Sequence, residues 1–139
     1  MNTFADAETL VQQWLLTTTL AGLTLRPDGG SSIFKAMPPG APLPSIVLSR
    51  VGGGPAERVD MPQDVARMSF DCWGASRADA INLATALAWH LETLAPNGGY
   101  TDGTARLAVA ETIAIVWLAD KASDTPRYVV DALVTVIPA

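Results

Sequence analysis

The chain has 139 residues, the length of one domain, with 9 basic residues, 14 acidic residues, a net charge of −5 and a single cysteine. Those figures exclude an intrachain disulfide and a paired-cysteine zinc site, and its two lysines are too few for sequence-independent DNA binding, which depends on basic groups replacing phosphate counterions. Apolar residues make up 49% of the chain, about 57% with its 11 glycines, and only 17% are charged, a balance that leaves apolar surface for contact between copies.

The amino terminus carries Asp6 and Glu8 in place of a basic region followed by an apolar run, so it does not read as a signal peptide. With no apolar stretch that demands a membrane, the expectation is a soluble protein made in the cytosol. From Asp6 to Leu20, the residues Leu10, Val11, Trp14, Leu15 and Leu16 recur at helical spacing, with Thr3 or Asp6 as the cap. Pro27, Asp28, Gly29 and Gly30 turn the chain between Arg26 and Ser32. A short strand follows over Ile33 to Met37, closed by Pro38, Pro39, Gly40, Pro42 and Pro44, which cannot supply a regular ladder of backbone donors.

Ser45 to Val51 reads as a strand that Gly52, Gly53, Gly54 and Pro55 stop. Ala66 to Trp73 alternates, setting Ala66, Met68, Phe70 and Cys72 on one face and Arg67, Ser69, Asp71 and Trp73 on the other. Ser76 caps a second helix, with Asp79 three residues later. Its expected stripe of Ile81, Ala84, Leu87, Ala88, Leu91 and Leu94 needs a sheet to cover it, and Pro96 to Gly99 end it before a loop through Gly103. Arg106 to Leu118 and Arg127 to Ile137 are too rich in β-branched residues for helices and read as strands, joined by a linker over Ala119 to Pro126. No repeat or composition shift divides residues 1–139. The pattern α-β-β-β-α-β-β predicts one α+β domain, a mainly antiparallel sheet of four to five strands with two helices on one face.

Candidate chemistry is sparse. Cys72 needs an exposed thiol and a base such as His90 to act as a nucleophile, yet it shares the apolar face of Met68 and Phe70. The glycine run at 52–54 lacks the lysine and the following helix of a phosphate loop, so it reads as a connection between strands. Asp60, Asp64, Asp71, Asp79, Asp120 and Asp124 match no calcium-loop spacing, and neither metal nor cofactor is expected. Trp14, Trp73, Trp89 and Trp117 exceed what one small core holds; Trp73, opposite Phe70, is available for a subunit contact.

Three strings carry a family likeness: Pro44-Ser45-Ile46-Val47-Leu48-Ser49-Arg50-Val51-Gly52-Gly53, Trp73-Gly74-Ala75-Ser76-Arg77 before an alanine-rich helix, and Pro126-Arg127-Tyr128 opening the last strand. In this order, with a glycine-rich loop between Leu94 and Arg106, they resemble tail terminator and related minor tail proteins of long-tailed phages of actinobacteria, over Ile33 to the end. The resemblance implies a non-enzymatic virion subunit, a hexameric ring at the head-proximal end of the tail tube. Such a ring stops tube polymerisation and contacts the tube protein, a neck or head-completion protein, and further copies of itself. DNA crosses its lumen without specific binding, which the acidic balance suits, and no membrane is involved. Arg50, Trp73, Arg77, Arg127 and Tyr128, at element ends and of types enriched at interfaces, are the expected contact residues. Two other readings stay open: a different neck or head-completion ring, and a small cytosolic ligand-binding domain with its site on the Gly52 and Gly98 loops.

Overall fold

The computed structural model describes residues 3–20, 23–24, 32–36, 43–56, 62–118 and 123–138. The turn expected at 26–31, the proline-rich stretch 37–42, linker residues 119–122 and Asp60 lie outside them.

Asp6 is the cap of α1 (Ala7–Leu16), its carboxylate accepting the Glu8 amide at 3.0 Å. The helix stops short of the expected Leu20 because the hydroxyls of Thr17 and Thr18 donate back to the carbonyls of Trp14 and Leu15, at 2.6 and 3.0 Å. The freed residues enter a small hairpin of β1 (Thr19–Leu20) and β2 (Leu23–Thr24), which no sequence signal marked. The next strand, β3 (Ser32–Phe34), lies beside β4 (Ser45–Ala56) in parallel, the sheet's one parallel pairing among the described residues.

β4 corrects the sequence reading, for it does not stop at Val51. It continues through Gly52, Gly53, Gly54 and Pro55 to Ala56, paired throughout with β5 (Gln63–Trp73). A bulge between Arg50 and Gly52 absorbs the irregularity. Gly53 sits at φ +81, where a Cβ would stand 2.0 Å from the Val65 carbonyl oxygen, so glycine here continues a strand that any other residue would break.

On β5, Asp64, Ala66, Met68, Phe70 and Cys72 are buried and the residues between them are not, as the alternation predicted. Ser76 caps α2 (Arg77–Thr93) by accepting the Asp79 amide at 3.1 Å. The loop expected after α2 contains β6 (Tyr100–Thr101), held against β7 (Ala105–Trp117). β8 (Arg127–Pro138) then inserts between β5 and β7. The sheet order is β3-β4-β5-β8-β7-β6, six strands among the described residues where four to five were expected.

Helix α1 packs on β3, β4 and β7, and α2 on β5, β7 and β8. Leu10, Leu15 and Leu87 thereby meet Phe70, Met68 and Val134 in one buried cluster on one face of the sheet. Each such side chain contributes about 1.5–3 kcal/mol by leaving water. Among the described residues no helix covers the other, bare face, which carries Arg67, Ser69, Asp71 and Trp73 of β5 with their cross-strand neighbours Leu133, Asp131, Val129 and Arg127.

Candidate assembly interface

Four of the five expected contact residues meet at one end of the sheet. There β5 ends, β8 begins and α2 starts. The Gly74 amide donates to the Pro126 carbonyl at 3.1 Å and the Leu118 amide to the Arg127 carbonyl at 3.0 Å, fixing the three chain segments together. Residues 127 and 128 are neighbours on a strand and therefore point to opposite faces. One dipeptide thus builds an aromatic–cation stack on each side.

On the bare face Arg127 lies directly opposite Trp73, with its Cζ 4.8 Å from the ring centroid. Arg127 Nε donates to the Leu118 carbonyl at 2.9 Å, and Nη1 lies 3.5 Å from Asp71 Oδ2. Burial pushes the Asp71 carboxyl above its ordinary range, the Arg127 charge acts against that, and the nearby Asp131 reinforces it. Trp73 Nε1 is buried and has no acceptor among the described residues. On the helix face Tyr128 lies opposite Trp117, with ring centroids 5.0 Å apart and planes tilted by 56°. Arg77, the first residue of α2, lays its guanidinium 4.4 Å from the Trp117 centroid and donates from Nε to Tyr128 Oη at 3.1 Å.

Arg50 lies apart from this group. Its guanidinium donates from Nη1 and Nη2 to the two Asp64 oxygens at 2.6 Å each, and from Nε to the Gly52 carbonyl at 3.1 Å. Asp64 is 3% exposed. Sequence reasoning grouped this aspartate with five others as a weak cation set. Among the described residues no His, Cys, Asp or Glu cluster suits a metal ion, and Asp64 is the internal partner of Arg50. Cys72 is fully buried, which drives its thiol pKa far above the ordinary value, with Asp71 adding to the shift; the thiolate a nucleophile requires is not formed near neutral pH. A cleft of ≈ 240 Å³ beside Phe4, Thr104, Val136 and Ile137 has no titratable side chain in its wall among the described residues.

The feature sequence reasoning missed is the outer length of β7. Val109, Ile113, Ile115, Val116 and Leu118 are all exposed. The run read as an ordinary sheet strand. Only the topology reveals that, among the described residues, β6 pairs with Arg106 and Leu107 alone. Bulges after Leu107 and after Thr112 interrupt the alternation, so branched side chains emerge on both faces. Along this edge the Thr112 amide donates to Glu92 Oε1 of α2 at 2.7 Å. A concentration of exposed apolar groups on one strand, flanked by stacked arginines and aromatics, has the composition of a protein–protein interface.

Comparison with known proteins follows the same direction. A family model described as "Tail completion protein gp17" matches residues 11–136. A solved structure, a chain of the "Virion of native gene transfer agent (GTA) particle", has the same fold, with a TM-score of 0.66 over 96% of this chain and 95% of that one, at 16% identity. A search of curated proteins gives no match.

Proposed function

The chain belongs to the tail completion protein gp17 family, and from that membership we propose that it is the tail terminator of a long-tailed phage, a closed ring, six subunits in number, on the head-proximal end of the tail tube. It is a structural protein of the virion tail rather than an enzyme. In the proposed role the ring ends tube polymerisation and presents its other surface to a neck or head-completion protein.

The observation that carries this reading is the apolar length of β7, exposed on a rigid sheet whose end is dressed with Trp73, Arg77, Trp117, Arg127 and Tyr128. Contacts between identical subunits that are not two-fold give a ring when their rotation closes. The charge distribution suits a ring that DNA crosses. Among the described residues of the bare face Arg67, Arg106 and Arg127 are matched by Asp71, Glu111 and Asp131, with no excess of positive charge on these strands to hold phosphates. Among the described residues no helix is long and apolar enough to cross a membrane.

The test is light scattering of the purified protein followed by imaging with tail tubes assembled from the tube protein. The reading expects closed rings of six on tube ends and tubes that no longer grow. Arg77→Ala, a change at an exposed residue, weakens ring formation while leaving the melting temperature nearly unchanged. A protein that stays monomeric and lets tubes grow overturns the reading, as does a ring that binds only the portal side.

A further inference from the structure

Strands β4, β5, β8 and β7 alternate in direction across the sheet, each antiparallel to its neighbour. β7 therefore runs opposite to β4. A second copy placed head to tail brings its β4 antiparallel beside the first copy's β7, and the sheet continues through the contact without a change of pattern. Among the described residues both edges are open over similar lengths. Among the described residues β3 pairs only with residues 45–47 of β4, and β6 only with residues 106–107 of β7. That leaves 48–56 of one strand and 108–117 of the other without a neighbouring strand on that side among the described residues.

We propose that the open edge of β7 takes the open edge of β4 from a second copy of this chain, a contact that rests on the ring reading above. Two further observations select this occupant. The first concerns glycine. The fold itself requires glycine at 53, but a Cβ at Gly54 would meet nothing within 4 Å, and one at Gly52 would make only an ordinary contact at 3.9 Å. Glycine inside a strand costs about 0.5–1 kcal/mol relative to alanine, and it marks places where another backbone comes close. The exposed Val109, Ile113 and Val116 of β7 supply the bulk that the β4 edge lacks.

The second concerns charge and the state of the free edges. Pairing β7 with a second β7 about a two-fold axis sets both Glu92 and Glu111 against their own copies, whereas the head-to-tail arrangement keeps Glu111 from its copy and brings Glu92 near Glu8 alone. In the single subunit each open edge has an amide covered by a glutamate from a helix. Glu8 accepts the Arg50 amide at 2.9 Å, and Glu92 accepts the Thr112 amide at 2.7 Å. These carboxylates shield the edges from indiscriminate pairing and turn to water when the second strand arrives.

Centring the two open stretches on each other sets Val51 beside Ile113, residues that are 56% and 48% exposed and lie outside the core. The experiment uses the full chain as Val51→Cys and Ile113→Cys, separately, mixed, and combined, treated with a short thiol cross-linker and sized by denaturing gel and light scattering. Cys72 is buried and silent. The expected result is cross-linked dimer in the mixture, none with either variant alone, and a ladder ending at the ring with the combined variant. Cross-linking of Ile113→Cys to itself, with none to Val51→Cys, overturns the proposal in favour of two-fold pairing. Rings without a 51–113 cross-link overturn the strand contact and leave the ring reading standing. Open cross-linked chains that never close uphold the contact and overturn the ring. Monomers with no cross-link overturn both.

Discussion

Replacing Arg50 by alanine separates a structural role from an assembly role. The Asp64 carboxylate is 3% exposed and receives both of its bonds from the Arg50 guanidinium at 2.6 Å. Removing one member of a buried pair costs about 3–5 kcal/mol, because the other charge stays desolvated. Here the Arg50 side chain keeps 32% of its exposure, so water enters the vacated space and the expected loss falls to about 2–3 kcal/mol. For a domain of this length that lowers the melting temperature by roughly 6–12 °C. The assay is urea unfolding followed by tryptophan fluorescence, at a protein concentration where the wild type is monomeric. Arg50→Met combined with Asp64→Leu removes both charges, fills much of the space, and recovers most of the loss. An Arg50→Ala variant within about 0.5 kcal/mol of wild type refutes the reasoning, since it means that Asp64 finds equal solvation without its partner.

Three other outcomes follow from the structure. Gly53→Ala places a Cβ 2.0 Å from the Val65 oxygen at φ +81 and lowers stability by more than about 1 kcal/mol, whereas Gly54→Ala, with nothing within 4 Å, holds or raises it by up to about 1 kcal/mol; thermal melts of the two variants distinguish them. Cys72, fully buried with its thiol pKa pushed up by that burial, resists a disulfide reagent at mildly alkaline pH and reacts only as urea unfolds the chain, so rapid labelling of the native protein contradicts the core described here. Burial alone raises the Asp6 carboxyl, but the bonds from Thr9 and the Glu8 amide and the charge of Lys35 outweigh it and hold the pKa below 3.8. A carboxyl with a depressed folded-state pKa stabilises above its unfolded value, and that contribution is lost as pH falls below 3.8. The advantage of wild type over Asp6→Ala, about 1 kcal/mol near neutrality, therefore shrinks in urea titrations carried down through that range.

Much of the framework was legible because it depends on local periodicity. The alternation from Ala66 to Cys72 and the cap at Ser76 each reflect a choice made within a few residues, and the structure keeps both; of the helix stripe it keeps Ala84, Leu87, Leu91 and Leu94 but turns the face slightly, burying Ala80 and Leu83 in place of Ile81 and Ala88. The face assignment of Trp73, opposite Phe70, follows from the same two-residue period. The alternation also sends Arg127 and Tyr128 to opposite faces, but their meeting with Trp73, Arg77 and Trp117 depends on β8 inserting between β5 and β7, a long-range pairing with no local signature. Arg50 looked available because its partner Asp64 lies on the neighbouring strand, beyond the glycine turn that sequence alone suggested.

Composition and period by themselves determined the class of fold, the buried thiol, the poverty of catalytic groups and the expectation of self-contact. The tertiary structure alone decided that Gly52 to Ala56 is strand rather than loop, because pairing with β5 outweighs the weak strand preference of glycine and proline. It alone decided which apolar strand remains uncovered. Residues 108–117 and 129–136 are both branched and apolar, and burial separates them because, among the described residues, β8 has a neighbouring strand on each side while β7, past Leu107, has one.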